Sequence, residues 1–148
     1  LGSFEAWLLM RGMRTLDVRV RAQAKSAQII AERLVSHPSV ASVLYVGLET
    51  HPGHRMASLQ MKGGFGAMLS LRMKSKEAAQ LVASKTLVWR HATSFGGVDS
   101  LIEHRASIEG EGSPCPVDLL RLSVGLEDVD ELHADLCAAF SHLPEGDA

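Results

Sequence analysis

The fold class follows from a stretch near the carboxyl end, Leu119-Leu120-Arg121-Leu122-Ser123-Val124, and from the residues after it. This run is short and apolar apart from one charge, which favours a strand. Apolar residues then recur at spacings of three and four over 129–140, which predicts a helix. Acidic residues at 127–131 open that helix, where negative charge stabilises the helix dipole. A strand followed by a helix indicates an α/β protein.

Short strands and helices alternate through the rest of the chain. The patterns predict strands at 43–46, 67–73, 87–89, 100–103 and 119–124. They also predict a short helix that ends at Gln60, two further helices over 75–85 and 129–140, and a loop at 110–116. Helices interleaved with short strands imply two layers, in which helices cover one face of a single sheet. Several connections are too short for parallel crossovers. We therefore expect an α/β (α+β) two-layer sandwich with a small, mostly antiparallel or mixed sheet.

The chain begins with a long amphipathic pattern. Apolar residues at spacings of three and four, from Met13 to Leu34, predict one helix over residues 4–35 with Ser3 as its N-cap. The pair His37-Pro38 ends it, because a residue before proline avoids the helical region. Such a helix is roughly 48 Å long, which exceeds the width of a small domain. We expect part of it to project toward something that this chain lacks.

The composition excludes several classes of protein. The chain has 148 residues, 46% of them hydrophobic, and a formal net charge of −2, which fits one folded domain rather than a disordered chain. Its apolar runs are far shorter than the roughly 20 residues that a membrane span needs. Two cysteines make neither a disulfide framework nor a CxxC site. We expect a single domain over residues 1–148, in the cytoplasm and without a membrane partner.

Charge is distributed unevenly along the chain. Residues 1–90 contain 13 basic and 5 acidic side chains, whereas residues 91–148 contain 2 basic and 12 acidic ones. Such asymmetry can mark a nucleic-acid or partner surface. The basic residues are spread along predicted helices, however, and Tyr45 is the aromatic residue in the middle of that region that could stack on a base. We expect no nucleic-acid partner.

Other common catalytic and metal motifs are absent or weak. There is no dinucleotide fingerprint, P-loop or nucleophile elbow, and Gly63-Gly64-Phe65-Gly66 is more typical of tight turns than of a phosphate cradle. His51 and His54 have a spacing that metal ligands can use, but they flank Pro52-Gly53 and lack a nearby third ligand. The sequence therefore predicts neither a metal site nor a catalytic residue in this chain.

Two features stand out as candidate binding elements. In Thr93-Ser94-Phe95-Gly96-Gly97, hydroxyl groups precede paired glycines that allow the backbone to approach a ligand. Arg121 lies inside a short apolar strand, where an unpaired charge costs several kcal/mol. Its planar guanidinium suits a bound carboxylate, which it can hold through two parallel hydrogen bonds. An ion pair with a nearby acidic side chain of the same chain is the equally favoured alternative.

Four segments in register carry a family resemblance. They are Phe4 to Leu16, His51-Pro52-Gly53-His54, Gly64-Phe65-Gly66-Ala67-Met68-Leu69-Ser70, and Ser94-Phe95-Gly96-Gly97-Val98-Asp99-Ser100-Leu101-Ile102-Glu103-His104 followed by Leu120 to Glu127. Over residues 1 to about 141 the chain resembles the C-terminal domain of the Cys/Met metabolism family of pyridoxal-phosphate (PLP) enzymes, the transsulfuration enzymes. The resemblance implies the small, C-terminal domain of a fold-type I PLP enzyme.

The resemblance also implies roles for two residues and for a cofactor. In the family an arginine at the position of Arg121 holds the α-carboxylate of the substrate, and a serine at the position of Ser94 helps to fix the same group. The family binds PLP on a lysine of a preceding large domain. The lysines of this chain (Lys25, Lys62, Lys74, Lys76 and Lys85) have no such context. PLP is thus implied for the full-length enzyme, and none is expected on this chain alone.

The expected function is substrate recognition within a larger enzyme. The chain is interpreted as a fragment, also because it begins with Leu1 rather than Met, and as inactive by itself. The implied substrate is an amino acid such as cystathionine or a homoserine ester, and the implied full-length enzyme is a homo-oligomer. The sequence does not distinguish β-lyase, γ-lyase and γ-synthase reactions. The alternative is a free-standing α/β module that binds a ligand or partner without catalysis.

Overall fold

A computed structural model describes residues 1–94 and 96–144 of the chain. The helices are α1 (Ser3–Met13), α2 (Leu16–Leu34), α3 (His54–Gln60), α4 (Lys76–Lys85), α5 (Arg105–Glu109) and α6 (Val129–Phe140). The strands are β1 (Val40–Leu44), β2 (Met68–Met73), β3 (Arg90–His91), β4 (Leu101–His104) and β5 (Leu119–Ser123). Most elements lie within a few residues of their predicted positions. Helix α5 is an addition that no pattern in the sequence predicted.

The five strands form one mixed sheet in the order β1-β2-β5-β4-β3. The pairs β1–β2, β2–β5 and β5–β4 are antiparallel, and the short β3 pairs with β4 in parallel. The predicted mostly antiparallel or mixed sheet is thus confirmed. Strand β5 lies at the centre of the order, with two strands on each side.

Alternation along the strands separates a core face from a polar face. Leu120 and Leu122 of β5 and Ile102 of β4 are fully buried and belong to the hydrophobic core. Helices α2, α4 and α6 contribute the other side of this core through residues such as Ala31 and Leu136. The residues between these buried positions lie on the opposite face of the sheet, because successive side chains of a strand point to opposite sides. The fold is the predicted two-layer α/β sandwich.

The predicted continuous helix over residues 4–35 is wrong, because helix α1 ends at Met13 and a second helix, α2, begins at Leu16. Gly12 has a low helix propensity, and its carbonyl oxygen accepts a hydrogen bond from Arg19 Nη1 at 2.9 Å. Thr15 follows with φ −113° and ψ 8°, outside the helical region, and acts as the N-cap of α2. Helix α1 begins at Ser3 itself with Gly2 as its N-cap, so the predicted Ser3 cap is also wrong. No residue of α1 is buried.

The predicted strand at residues 87–89 is also wrong, since the pairing residues there are Arg90 and His91. The backbone amides of Leu87, Val88 and Trp89 donate instead to the carboxylate of Asp135 on α6, at 2.9 to 3.1 Å. A side chain has taken the place of a neighbouring strand as the hydrogen-bond acceptor. The same segment is held by Trp89 Nε1, which donates to the Leu132 carbonyl at 2.9 Å.

Other boundaries shift by a few residues. Strand β1 ends at Leu44, before Tyr45 and Val46, and β4 begins one residue later than predicted. The predicted cap of α4 is confirmed, since Ser75 Oγ accepts from the Ala78 amide at 3.0 Å. Among the described residues, no helix is both long and apolar enough to cross a membrane.

Replacing Asp135 with alanine is expected to lower the free energy of unfolding by about 3 kcal/mol, because three backbone amides lose a charged acceptor. The side chain is 8% exposed, so water cannot fully replace the carboxylate. Urea unfolding followed by circular dichroism measures the change. Asp130→Ala is the matched control, since Asp130 is exposed on the same helix, and should cost less than about 1 kcal/mol. Equal losses for the two variants would contradict this role of Asp135.

Candidate functional site

Arg121 lies at the centre of the polar face of the sheet. The register places it between Ser70 of β2 and Glu103 of β4. Its neighbours Leu120 and Leu122 are both fully buried in the core, so its own side chain projects from the other face. That side chain is 30% exposed. The exposed part of the Arg121 side chain is accessible to a ligand, while its charge is only partly screened by water.

Glu103 binds one nitrogen of Arg121. Arg121 Nη1 donates to Glu103 Oε1 at 3.0 Å, and the Glu103 side chain is only 1% exposed. The intramolecular ion pair that sequence reasoning left open is therefore present. Within the part of the chain that the structure describes, Arg121 Nε and Nη2 have no hydrogen-bond partner. These two donors lie on one edge of the guanidinium, which is the edge that a carboxylate binds in a two-bond fork.

Ser94 lies next to the same strand. Its hydroxyl is 2.7 Å from the Ser123 hydroxyl on β5 and accepts a hydrogen bond from the Gly96 amide at 3.0 Å. Ser123 is two residues beyond Arg121 and therefore on the same face of β5. Thr93, directly before Ser94, donates from Oγ1 to Glu103 Oε2 at 2.6 Å. The structure thus brings Thr93, Ser94 and Arg121 to one region of the sheet. Phe95 lies outside the described residues.

Sequence reasoning missed Glu103 and Ser123 as members of this cluster. The sequence signal that could have found Glu103 is the one that singled out Arg121, a single charge within a short apolar strand. For Glu103 that strand is Leu101-Ile102-Glu103-His104. Two opposite charges in such positions favour cross-strand pairing. The pairing itself depends on the strand order, which the sequence did not specify.

The loop from Gly96 to Ser100 is fixed to the end of β5 by polar contacts. Ser100 donates from its amide and its hydroxyl to the two carboxylate oxygens of Glu127, at 2.8 and 2.7 Å. The Gly125 amide donates to Ser100 Oγ at 2.7 Å, and Gln23 Nε2 donates to the Gly97 carbonyl at 2.8 Å. The backbone that follows Ser94 is consequently held by the side chains of Gln23 and Glu127 and by the Gly125 amide rather than by strand pairing.

The two histidines that were considered as metal ligands form hydrogen bonds with nearby backbone groups. His51 Nδ1 accepts from the Gly53 amide, and His54 Nδ1 is 2.8 Å from the Val46 carbonyl. Within residues 1–94 and 96–144, no group of three or more His, Cys, Asp or Glu side chains could hold a metal ion. Burial raises the pKa of both Cys115 and Cys137, which disfavours the reactive thiolate.

Tyr45 is not available to stack on a base. Its side chain is buried, with 2% exposed, and its hydroxyl donates to the Gly66 carbonyl at 2.9 Å. Burial is the main cause that raises the pKa of this phenol to about 12, so it stays protonated at neutral pH. Tyr45 therefore has a structural role in packing the turn after β1.

The site thus combines an α/β fold with an arginine whose Nη1 is paired and whose other two nitrogens have no partner among the described residues, an arrangement that is able to bind a carboxylate. The chain belongs to the Cys/Met metabolism PLP-dependent enzyme family, whose model matches residues 1–141. The family resemblance inferred from the sequence is confirmed, and PLP is the cofactor of this family.

Named relatives come from several bacteria. Cystathionine gamma-synthase from Mycobacterium tuberculosis is 50% identical over 141 residues, which cover 91% of this chain and 36% of that protein. L-methionine gamma-lyase from Fusobacterium nucleatum is 40% identical over 92% of this chain and 36% of that protein. The crystal structure of metB from Corynebacterium glutamicum superimposes with a TM-score of 0.89 at 44% identity, covering 95% of this chain and 38% of that one. This chain spans about a third of the length of the relatives that it matches.

The residues of this chain do not by themselves fit a complete PLP site. A lysine that forms a Schiff base acts from a desolvated environment near the reacting groups. All five lysines here are exposed. The described residues therefore include no lysine in the desolvated setting that PLP chemistry requires.

Gly125→Ala is expected to destabilise the loop that positions Ser94, by about 2 kcal/mol. A Cβ at this position would overlap the Val98 carbonyl oxygen and lie 2.5 Å from the Ser100 amide nitrogen. Both neighbours are backbone atoms, which cannot move aside as a flexible side chain can. Thermal and urea unfolding provide the measurement.

Gly97→Ala is the matched control for that variant, because a Cβ there meets no atom within 4 Å. It should change the free energy of unfolding by less than about 0.5 kcal/mol. If both substitutions were tolerated equally, the close approach at Gly125 would not matter for stability.

Proposed function

We propose that this chain is the substrate-recognition domain of a PLP-dependent transsulfuration enzyme, and that Arg121 binds the α-carboxylate of its amino-acid substrate. The observation that carries the proposal is the half-occupied guanidinium of Arg121 on the open face of the sheet. One nitrogen, Nη1, is bound to Glu103 at 3.0 Å. The free edge can donate two parallel hydrogen bonds to a planar carboxylate, as this group requires for a firm and oriented grip.

Ser94 is proposed to help orient the same carboxylate. Its hydroxyl is already held by Ser123 and by the Gly96 amide, so little rotamer entropy remains to be lost when a ligand binds. A fixed hydroxyl beside an arginine fork limits the tilt of the bound carboxylate. In the family's chemistry such positioning of the substrate contributes to rate, because the reacting bond must hold one orientation.

The reacting groups are proposed to lie in another part of a longer polypeptide. The exposed lysines of this chain and its share of about a third of its relatives' length support that division of roles. We accordingly expect the chain alone to lack lyase or synthase activity. The substrate class is an amino acid such as cystathionine or a homoserine ester, and the whole enzyme is proposed to be a cytoplasmic homo-oligomer that requires neither nucleic acid nor membrane.

Helix α1 supports a second candidate, a module that binds a protein partner without catalysis. Phe4, Trp7, Leu9 and Met10 are each more than half exposed, which is unusual for large apolar side chains on one short helix. A contact with the remainder of a longer enzyme would cover the same residues. The two candidates differ in one respect, because only the enzyme requires Arg121.

The direct test is a chimera of the Mycobacterium tuberculosis cystathionine gamma-synthase in which this chain replaces the matched region. The unsubstituted chimera should turn over its amino-acid substrate. In it, Arg121→Ala should raise KM by about 100-fold, since two charge-assisted hydrogen bonds to the carboxylate are lost. Arg121→Lys should be intermediate, because an ammonium is a point charge without the fork.

Arg72→Ala is the matched control for Arg121→Ala. Arg72 is also half-buried, lies on a neighbouring strand and is paired with Asp118 at 2.8 Å. Within residues 1–94 and 96–144 its side chain has no hydrogen bond or ion pair with Arg121, Glu103 or Ser94. Its replacement should leave KM within about twofold. A correctly folded, PLP-loaded chimera that is inactive, or an unchanged KM for Arg121→Ala, would contradict the proposed function.

A further inference from the structure

Glu103 is a buried carboxylate that hydrophobic packing does not explain. It is 1% exposed on β4, between the fully buried Ile102 and the buried His104. Removing a carboxylate from water costs several kcal/mol unless charges and hydrogen bonds compensate. An apolar side chain would fill the same volume without that cost, so the acid is a candidate for a role beyond stability.

The partners of Glu103 divide between its two oxygens. Oε1 accepts from Arg121 Nη1 at 3.0 Å and from Arg105 Nη1 at 3.3 Å. Oε2 accepts from Thr93 Oγ1 at 2.6 Å. Arg105 has a second partner, since its Nε donates to Glu109 at 2.6 Å. Arg121 has no other ion pair among the described residues, so Glu103 is the one charged group there that holds its guanidinium.

The same carboxylate connects the two residues assigned to the substrate. Through Oε1 it holds Arg121 directly, and through Oε2 it holds Thr93, which directly precedes Ser94 in the chain. A movement of the Glu103 carboxylate would therefore displace both. Because Nη1 is the nitrogen that it binds, the edge formed by Nε and Nη2 is left without a partner among the described residues.

We propose that Glu103 is a positioning residue for substrate binding, which holds the Arg121 guanidinium so that its Nε–Nη2 edge faces the ligand and keeps Ser94 in place through Thr93. The inference rests on the proposed function, because it assumes that Arg121 binds the substrate carboxylate. Glu103 itself touches no substrate. Its effect is on the affinity for the carboxylate and not on the chemical step.

The first test uses the 148-residue chain and requires no activity. The order parameter of the Arg121 Nε–H bond, measured by ¹⁵N relaxation, should fall clearly in Glu103→Gln, because a neutral amide binds the guanidinium less firmly. Arg72 is the internal reference, since its Nε is bound to both oxygens of Asp118 at 2.9 Å and should not change. An unchanged order parameter for Arg121 would overturn the proposal.

The second test is a double-mutant cycle in the chimera described above. Glu103→Gln should raise KM by about tenfold, with kcat changed less than about threefold, since only binding is affected. In the Arg121→Ala background the same substitution should have no further effect on KM, because a residue that acts through Arg121 cannot act without it. Asp118→Asn, which disturbs the Arg72 pair only, is the matched control and should leave KM unchanged.

The outcomes separate this inference from the proposed function. If Arg121→Ala leaves KM unchanged, the proposed function fails. If Arg121→Ala raises KM but Glu103→Gln does not, or if the two effects add fully, only the positioning role of Glu103 fails. Should Glu103→Gln fail to fold, Glu103→Asp replaces it in the same cycle, since it keeps the charge but withdraws the carboxylate from Arg121, and the same outcomes decide.

Discussion

The structure depends on the alternation of side chains along β5. Leu120 and Leu122 are fully buried under the helices, and this fixes which face of the strand is left for Arg121 and Ser123. A slip of one residue in the register would bury the guanidinium in the core and expose two leucines, at a cost of several kcal/mol. Because β5 is the central strand, its register also determines which residues of β2 and β4 lie beside Arg121.

Carboxylates of the acidic half of the chain bind residues 87–89, Thr93 and Ser100, which lie outside the helices and strands. Asp135 binds the amides of residues 87–89, Glu103 binds Thr93, and Glu127 binds Ser100. Some of the acidic side chains that make the charge of the two halves uneven therefore accept hydrogen bonds inside the domain. Hydrogen bonds to side chains on both sides of Ser94 limit the movement of its backbone, as supporting contacts do for a site residue.

The sequence was sufficient for the layer architecture and for most elements, because helical and strand periodicities are local properties. It did not predict the break near Gly12, where the Gly12 carbonyl accepts from Arg19 in the first turn of α2. Nor did it predict the loop at 87–89, whose acceptor Asp135 lies 46 to 48 residues away. Both errors have the same origin. In each case a backbone group forms its hydrogen bond with a side chain, and hydrophobic periodicity gives no information about such bonds.

For Arg121 the sequence left two roles open, a bound carboxylate ligand or an internal ion pair, and the geometry removes the need to choose between them. A guanidinium has five N–H donors in a plane, and Glu103 occupies only the Nη1 corner. A lone arginine on an open face would sample many rotamers, and ordering it on binding would cost affinity. An arginine held at one corner has already lost part of that freedom, while its opposite edge keeps two parallel donors. In the proposed function, the internal pair is what favours a planar carboxylate as the external partner, and the buried Glu103 is what holds the guanidinium for it.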